Sequence, residues 1–306
     1  MSQSDAPIFI IGSPRSGTSV MTWALGQHPN IQPMPETAWI AAQSVGAALA
    51  HEAGSDRGQR SHLSNVDYPL PRYLELQGEA IDRIVHEAFH KRCDELYGEK
   101  GAPNPRQLAR EDGIFVRRHV DDPKRRWVDG TPLNTFYTWA LSQMFPTARF
   151  LHHVRAPHEV VASLEKFDRV GADPVDRERG LRAWVAHAEA AWLTERALGS
   201  ERVFRVDFQR LESDPHALIG EILAFLDEAD CAECARAFTR RVNSSGTAGE
   251  ADALKTALDA LDGHAGAQAI YADILNAPTQ KGDAEAHDAL KAAFGRRLEG
   301  RALLGE

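Results

Sequence analysis

A loop with two glycines, placed between a strand and a helix, is the feature that constrains this chain most. The apolar run PIFII (7–11) leads directly into GSPRSGTS (12–19). A short, uninterrupted apolar run that ends at a glycine is typical of a fully buried parallel strand. The segment after the loop, at about 17–28, places its apolar residues on one helical face. The order of strand, glycine loop and helix predicts a phosphate-binding loop.

Such a loop presents several backbone N–H groups to an anion at the positive end of the following helix. Gly12 and Gly17 permit a tight turn and a close approach of the ligand. Hydroxyl groups that add further donors are carried by Ser13, Ser16, Thr18 and Ser19. The alternative interpretation is an ordinary turn from strand to helix, rich in glycine and serine.

The loop lacks the lysine of the nucleoside-triphosphate loops, which read G-x-x-x-x-G-K-[ST]. Thr18 stands in the lysine position, and the only positive side chain in the loop is that of Arg15. In triphosphate enzymes an aspartate after an apolar strand also helps to hold Mg²⁺. VFRVDF contains such an aspartate, Asp207, but Arg205 interrupts its apolar run. A P-loop kinase that acts on a small molecule is therefore disfavoured, although this alternative stays open.

Strands and helices alternate along most of the chain. Further strands are predicted near Asp129 in RRWVDGTP and at 148–155 and 203–208, and helices at about 36–50, 74–97, 133–144, 157–167 and 177–198 and in DPHALIGEILAFLD. This alternation predicts an α/β fold of the P-loop type, with a parallel sheet flanked by helices on both faces. We expect a single domain over 1–306, with a core at about 7–230 and an Ala-rich, helical C-terminal extension at about 244–306.

Composition limits the partners of the chain. Apolar residues make up 43% and charged residues 26%, and the formal net charge is −9. These values are typical of a globular protein without a general attraction to nucleic acid or anionic membranes. No apolar run approaches the roughly 20 residues needed to span a bilayer, and the polar start MSQSDAP shows no signal peptide. We expect a cytoplasmic protein.

The cysteines give no sign of a disulfide framework or a metal site. Cys93, Cys231 and Cys234 are too few and too sparse for such a framework, and they fit a reducing compartment. Cys231 and Cys234 form a C-x-x-C pair, which would be half of a zinc site or a redox pair. There is no second pair, and the surrounding FLDEADCAECARAF predicts the start of a helix. We predict a structural role and no metal.

Four segments, in the expected order, resemble the sulfotransferase family, whose donor is 3′-phosphoadenosine 5′-phosphosulfate. They are GSPRSGTS, WVDGTPLN, FLHHVRAPHEVVASLEKF and VFRVDFQRLESDPHALIGEILAFLD, within about residues 7–230. The first resembles the 5′-phosphosulfate loop of the family, which implies that the donor is bound by Arg15, Ser16, Gly17, Thr18 and Ser19. The second departs from the family pattern Asp-Lys-[Ser/Thr]-Pro-x-Asn, because Gly130 stands in place of the lysine.

The third segment resembles the 3′-phosphate segment of the family, which implies that Arg155 and Ser163 bind that phosphate. Arg155 is also favoured on physical grounds, because it follows a parallel strand at the edge where ligands bind. Its guanidinium can hold a phosphate through two hydrogen bonds. A salt bridge to Glu159 or Asp129 is the alternative. The role of Ser163 rests on the resemblance alone.

Transfer of a sulfuryl group to a hydroxyl requires a base, and Glu36 in PMPETAW is the candidate. Its placement after the loop and the loop's helix resembles the carbohydrate and protein-tyrosine branches of the family. In those branches a glutamate is the base and a loop arginine replaces the lysine, so that Arg15 would stabilise the leaving phosphate. Alternatively, Glu36 lies in the first turn of the next helix, where the dipole favours a carboxylate. His119 and His153 are reserve candidates.

We therefore expect a metal-independent sulfotransferase that acts on an acceptor hydroxyl of a carbohydrate, a peptide tyrosine or a small molecule. Ser244 and Ser245, in a Gly-flanked turn, are expected to close over the nucleotide. The kinase and a non-catalytic relative that binds the nucleotide are the alternatives. The sequence does not specify the oligomeric state, and a homodimer stays open.

Overall fold

The computed structural model describes residues 5–97, 122–166, 175–239 and 263–299, and its centre is a five-stranded parallel sheet. The strands are β1 (Ile8–Gly12), β2 (Ile31–Pro33), β3 (Arg126–Asp129), β4 (Arg149–Val154) and β5 (Val203–Asp207). Their order across the sheet is β2-β3-β1-β4-β5, with β1 in the middle. Ile8 pairs with Val128 of β3 on one side and with Arg149 of β4 on the other. The first strand is therefore held between strands that come much later in the chain.

Helices cover both faces of this sheet. They are α1 (Thr18–Gly26), α2 (Trp39–Ser55), α3 (Leu70–Tyr97), α4 (Thr138–Met144), α5 (Pro157–Glu165), α6 (Arg177–Leu198), α7 (Phe208–Ser213), α8 (Pro215–Phe225), α9 (Ala232–Thr239), α10 (His264–Asn276) and α11 (Ala284–Leu298). Short 3₁₀ turns lie at Gly58–Arg60, Ser64–Val66 and Pro132–Phe136.

Successive residues of each strand point to opposite faces of the sheet and so enter two separate cores. On one face, Phe9 and Trp127 pack with apolar residues of α2, α3, α4, α6 and α11. On the other, Ile8, Ile10 and Val128 pack with residues of α1, α7, α8 and α9. Because both faces are buried, β1 has a continuous apolar sequence instead of an alternating one.

The last two helices of the described residues, α10 and α11, also contribute buried apolar side chains. Phe294 of α11 lies in the same core as Phe9, and its ring centroid is 5.3 Å from that of Trp139. Ile274 of α10 belongs to a third cluster, which also contains Trp184 of α6. The part of the C-terminal extension that the structure describes is therefore packed against the sheet and its helices.

The predicted α/β fold, with a parallel sheet and helices on both faces, is confirmed. Strand β2 was not predicted, because three residues are too few to show a periodicity and one of them is Pro33. The helix expected at 36–50 begins later, at Trp39, and continues to Ser55. The helix expected at about 74–97 begins earlier, at Leu70, and ends at Tyr97.

One further expectation concerns the C-x-x-C pair. The predicted helix start at the C-x-x-C pair is confirmed, because Cys231 directly precedes α9 and Cys234 is buried within it. Within the described ranges, no group of three or more His, Cys, Asp or Glu side chains is placed to hold a metal ion. Across the same residues, no helix has the length and apolar character that a bilayer crossing requires.

Candidate active site

The loop between β1 and α1 has left-handed backbone at three positions. Gly12, Arg15 and Gly17 have φ angles of 138°, 67° and 99°. A Cβ atom at Gly12 would lie 2.5 Å from the carbonyl oxygen of His153, and one at Gly17 would lie 2.8 Å from the ring of Phe208. Glycine at these two positions therefore lets the loop turn tightly over the carboxyl end of the sheet.

Hydrogen bonds within the loop fix its shape. The N–H and the hydroxyl of Ser16 both donate to the Ser13 carbonyl oxygen, at 3.2 and 2.6 Å. The N–H of Gly12 donates to Thr135 Oγ1 at 2.9 Å. Gly17 is the N-cap of α1 and provides no side-chain cap for the first turn. The loop thus leads to a helix N-terminus of the kind that attracts anions.

Two arginines and a serine from different elements meet at this loop. Arg15 Nε donates to the Ser163 hydroxyl of α5 at 2.9 Å. Arg155 follows β4, and its Nη1 donates to the Arg15 carbonyl oxygen at 3.0 Å. The structure thus brings together three residues that the sequence analysis assigned to donor binding.

The electrostatics at the arginines favour an anion. Burial lowers the pKa of Arg15, and the positive charge of Arg155 lowers it further, whereas the carboxylate of Glu36 acts in the opposite direction. A phosphate or sulfate group beside the two guanidinium groups would offset both the loss of water and the repulsion between like charges. The pair is therefore suited to a ligand that carries negative charge.

Arg155 is held from several directions. Its Nε donates to Glu159 Oε2 at 3.0 Å, and its guanidinium carbon lies 4.1 Å from the centroid of the Phe208 ring. Its carbonyl oxygen accepts a hydrogen bond from Trp184 Nε1 at 3.0 Å. The salt bridge to Glu159 that the sequence left as an alternative is thus present, together with the contact to the loop. Phe208 holds the arginine and also packs against Gly17, a double role that the sequence analysis missed.

Glu36 lies beside the end of the loop. The Ser19 hydroxyl donates to Glu36 Oε1 at 3.1 Å, and the glutamate side chain is exposed. Helix α2 begins at Trp39 with Ala38 as its N-cap. Glu36 therefore precedes the helix, and the alternative that placed it in the first turn is wrong.

A short segment that begins at the last residue of β3 and runs from Asp129 to Thr135 connects the surroundings of Glu36 with the loop. The buried Asp129 carboxylate accepts hydrogen bonds from the Thr131 hydroxyl at 2.5 Å, the Thr131 N–H at 2.9 Å and Asn134 Nδ2 at 2.9 Å. Burial raises the pKa of Asp129, although these three hydrogen bonds oppose the rise. Thr131 Oγ1 also accepts from the N–H of Thr37 at 2.7 Å.

Gly130, the departure from the family pattern, lies at a closely packed position in this chain. A Cβ atom there would lie 2.2 Å from Thr22 Oγ1 and 3.1 Å from the Thr18 carbonyl oxygen. The Thr22 hydroxyl donates to that same carbonyl oxygen at 3.0 Å. Helix α1 therefore packs directly against the backbone at Gly130, and a lysine does not fit beside Thr22.

Of the two histidine reserve candidates, only His153 lies within the described residues, and its burial keeps it from meeting an acceptor that arrives from solvent. His153 is buried, its Nδ1 is 3.3 Å from the Ser16 carbonyl oxygen, and burial lowers its pKa to about 4. His152 points to the other face and pairs with Glu195 of α6 at 2.8 Å. His119 lies outside the described residues, as do Ser244 and Ser245.

The hydrogen bonds made by the side chains of WVDGTPLN, and by Thr135 directly after it, were not predicted from the sequence. Thr131 and Thr135 were not predicted as site residues, yet they bond to the segment of Glu36 and to Gly12. The available signal was the order Asp-x-Thr-Pro-x-Asn, in which one aspartate can accept hydrogen bonds from residues that follow it closely. The order of these residues does not indicate that Thr131 and Thr135 bond to Thr37 and Gly12, which are distant in the sequence.

Comparison with known proteins gives matches over most of the chain. A model of the sulfotransferase family matches residues 7–230. A protein-tyrosine sulfotransferase of Drosophila melanogaster is 26% identical over 223 residues, which cover 72% of this chain and 38% of that protein. An uncharacterised protein of Aquifex aeolicus (strain VF5) is 24% identical over 231 residues, which cover 73% of this chain and 26% of that protein. The chain thus spans well under half the length of these two relatives.

Solved structures also match nearly the whole chain. The sulfotransferase domain of the Synechococcus PCC 7002 olefin synthase is matched over 94% of this chain and 94% of its own, with a TM-score of 0.44 and 16% identity. A sulfotransferase from Alicyclobacillus acidocaldarius is matched over 92% of this chain and 98% of its own, with a TM-score of 0.44 and 17% identity.

Proposed function

Since the chain belongs to the sulfotransferase family, we propose that it transfers a sulfuryl group from 3′-phosphoadenosine 5′-phosphosulfate to an acceptor hydroxyl. The observation that carries this proposal is the meeting of Arg15, Ser163 and Arg155 at one glycine loop, through contacts of 2.9 and 3.0 Å. Two arginines replace the single lysine of a triphosphate loop, which favours a ligand with more than one anionic group.

The donor carries negative charge at two places, the 5′-phosphosulfate and the 3′-phosphate. The loop N–H groups, together with the side chains of Arg15, Ser16, Thr18 and Ser19, suit the first. Arg155 and Ser163 suit the second, because a guanidinium and a hydroxyl both donate to phosphate oxygens. The arginines supply the positive charge that the anionic donor requires, so we propose a reaction without a metal ion.

The proposed reaction needs only groups that the chain provides. The acceptor oxygen forms a bond to sulfur while the bond between sulfur and the phosphate oxygen breaks, which yields a sulfate ester and adenosine 3′,5′-bisphosphate. Glu36 takes the proton of the acceptor hydroxyl, and Arg15 stabilises the charge that develops on the leaving phosphate. The bond from Ser19 to Glu36, at 3.1 Å, supports this division of roles, because it joins the Glu36 carboxylate to the end of the glycine loop.

We propose a hydroxyl of a carbohydrate, a peptide tyrosine or a small molecule as the acceptor. A glutamate base next to a loop arginine favours the first two. The tyrosine option is also supported by the similarity to the Drosophila protein-tyrosine sulfotransferase, which extends over 72% of this chain.

A comparison of two nucleotides tests the proposal. Adenosine 3′,5′-bisphosphate should raise the melting temperature far more than ATP with Mg²⁺, because only the bisphosphate occupies both anion positions. A ligand at 100 times its dissociation constant adds roughly 2.7 kcal/mol of stability. Equal shifts with the two nucleotides would contradict the proposed donor and return the kinase to consideration. Sulfuryl transfer to a panel of hydroxyl acceptors should also persist in EDTA.

A further inference from the structure

We propose that the segment from Asp129 to Thr135 is a brace that fixes the position of Glu36 relative to the donor loop, and that Thr131 is a positioning residue for the base. The inference rests on the proposed role of Glu36. The segment carries no lysine, and its one charged side chain, Asp129, is buried among its own hydrogen-bond donors and does not face the donor. A positioning role explains what such a segment does at the site.

On the side of the base, the chain is anchored at two points that flank Glu36, one on β3 and one on the brace. The N–H of Met34 donates to the carbonyl oxygen of Val128, in β3, at 3.0 Å. The N–H of Thr37 donates to Thr131 Oγ1 at 2.7 Å. Glu36 therefore lies between one anchor on β3 and one on the segment that follows it. An exposed side chain on a short connection between β2 and α2 gains a defined position from such anchors.

On the side of the donor, the same segment is attached to the loop and to its helix. Thr135 Oγ1 accepts from the N–H of Gly12 at 2.9 Å, at the point where β1 ends and the loop begins. Gly130 packs so closely against α1 that a Cβ atom would lie 2.2 Å from Thr22 Oγ1. The brace thus contacts the beginning of the loop and the helix behind it.

The interior of the brace is held together by hydrogen bonds to one buried carboxylate. Asp129 is fully buried, and its two carboxylate oxygens accept three hydrogen bonds from Thr131 and Asn134. The Thr131 hydroxyl donates to Asp129, so its lone pairs are left to accept from Thr37. One hydroxyl therefore links a buried carboxylate to the backbone beside the base.

Substitution of Thr131 separates this role from simple packing. Thr131→Val keeps the shape but removes the hydroxyl, which leaves the Thr37 N–H without its acceptor. A misplacement of about 1 Å can cost about 100-fold in rate, so we expect turnover to fall about 10- to 100-fold while the affinity for adenosine 3′,5′-bisphosphate stays close to that of the unmodified protein. Thr131→Ser retains the hydroxyl and should recover most of the loss. Thr194→Val, in a buried hydroxyl pair with Thr138, is the matched control for loss of a buried threonine hydroxyl.

Two measurements show whether Thr131 acts through Glu36. Hydrogen exchange of the Thr37 amide should be slow in the unmodified protein, fast in Thr131→Val and slow again in Thr131→Ser. In a Glu36→Gln background, Thr131→Val should cause little further loss of turnover, because the base that it positions is already gone.

Several results would overturn the inference. These are an unprotected Thr37 amide in the unmodified protein, equal turnover in the valine and serine variants, or a full additional loss in the Glu36→Gln background. The first needs no variant, so it applies even if Thr131→Val does not fold. Normal turnover in Glu36→Gln would instead refute the proposed base, whereas an impaired Glu36→Gln with an unimpaired Thr131→Val would refute the brace alone.

Discussion

Glu36 is the side chain on which the proposed chemistry depends most directly. Glu36→Gln preserves shape and the bond from Ser19 but removes basicity. General-base assistance typically contributes about 10² to 10⁴ in rate, so turnover should fall within that range. Affinity for adenosine 3′,5′-bisphosphate should be nearly unchanged, because the carboxylate serves the acceptor. Turnover, calorimetric affinity and melting temperature on this one variant check the prediction, and near-normal turnover would exclude Glu36 as the base.

The two arginines are expected to differ in what their loss changes. Arg15→Ala should mainly slow transfer, because charge on the leaving phosphate grows in the transition state. Arg155→Ala should mainly weaken binding of adenosine 3′,5′-bisphosphate, because the 3′-phosphate is remote from the reacting sulfur. Kinetics and titration of each variant test this division, with Arg236→Ala, in an exposed pair with Glu233, as the control. If Arg15→Ala altered only the affinity, its catalytic role would be wrong.

Some residues of the site could be predicted from the sequence alone, whereas others required the family resemblance or were not predicted. Arg15 and Arg155 carry a charge at the end of a strand or in a glycine loop, and such positions can be read from one sequence. Ser163 required the family resemblance, because its partner Arg15 is 148 residues away. Thr131 was missed, since its contact with Thr37 joins residues 94 positions apart and a hydroxyl has no charge to mark it.

At the level of elements, the contact between α1 and the end of β3 determines what can stand at position 130. Gly130→Ala should destabilise the protein by about 1–3 kcal/mol, because the added methyl overpacks a buried contact. Thr22→Ala should restore part of that loss by removing the nearest atom, which a Cβ would meet at 2.2 Å. Chemical denaturation of the single and double variants measures both effects.

The control for this prediction is Gly220→Ala in α8, where an added Cβ has nothing within 4 Å. That change should leave the free energy of unfolding unchanged or raise it by up to about 1 kcal/mol, because alanine has a higher helix propensity than glycine. A tolerated Gly130→Ala, or a double variant no more stable than the single one, would contradict the steric explanation for the missing lysine.

Elements with strong sequence signals were predicted well, and the exceptions have physical causes. Strand β1 and helix α6 have long apolar patterns, and their predicted positions agree with the structure. Strand β2 has three residues and takes its place only by pairing with β3, through Gln32 and Trp127. Such a strand is specified by its neighbour, and its own residues carry too little pattern to predict it.

For the molecule as a whole, the free energy of unfolding should depend on pH through buried titratable groups, of which His153 lies under the loop. Burial lowers the pKa of His153 to about 4, from an ordinary value near 6.5. Between these values the unfolded chain binds a proton that the folded protein does not, so stability should fall as pH falls from about 6.5 to 4. The full effect of this one group is on the order of 3 kcal/mol.

Comparison of the wild-type protein with His153→Met isolates that contribution. Unfolding free energies at pH 7 and pH 4.5 should differ less in the variant, because methionine fills a similar volume and does not titrate. Identical pH dependence in the two proteins would contradict the prediction, because it would show that the pKa of His153 is the same in the folded and unfolded states. Glu195 contributes to stability at lower pH. Burial raises its pKa, but hydrogen bonds from His152 and Arg205 outweigh burial and lower the pKa overall. Its contribution to stability is therefore lost only as pH falls below the ordinary pKa of a glutamate.

The C-terminal helices bear on the domain organisation. Phe294 shares a core with Phe9, and Arg205 of β5 donates to the Ala277 carbonyl oxygen, after α10, at 2.7 Å. These contacts are consistent with the prediction of one domain over 1–306, which stays a prediction. The sequence indicated helices in this region but not where they pack, because an Ala-rich helix shows little contrast between its faces.

The central place of β1 has a consequence for synthesis of the protein. Its partners are Val128 and Arg149, and a ribosome adds about 5–20 residues per second. The apolar run from Ile8 to Ile11 therefore waits on the order of ten seconds for both neighbouring strands to be translated. During that interval it is an exposed, strand-forming peptide of the type that chaperones bind and that aggregates when it is left uncovered. We therefore expect the yield of folded protein to depend on how well the cell shields β1 while the middle of the chain is still being made.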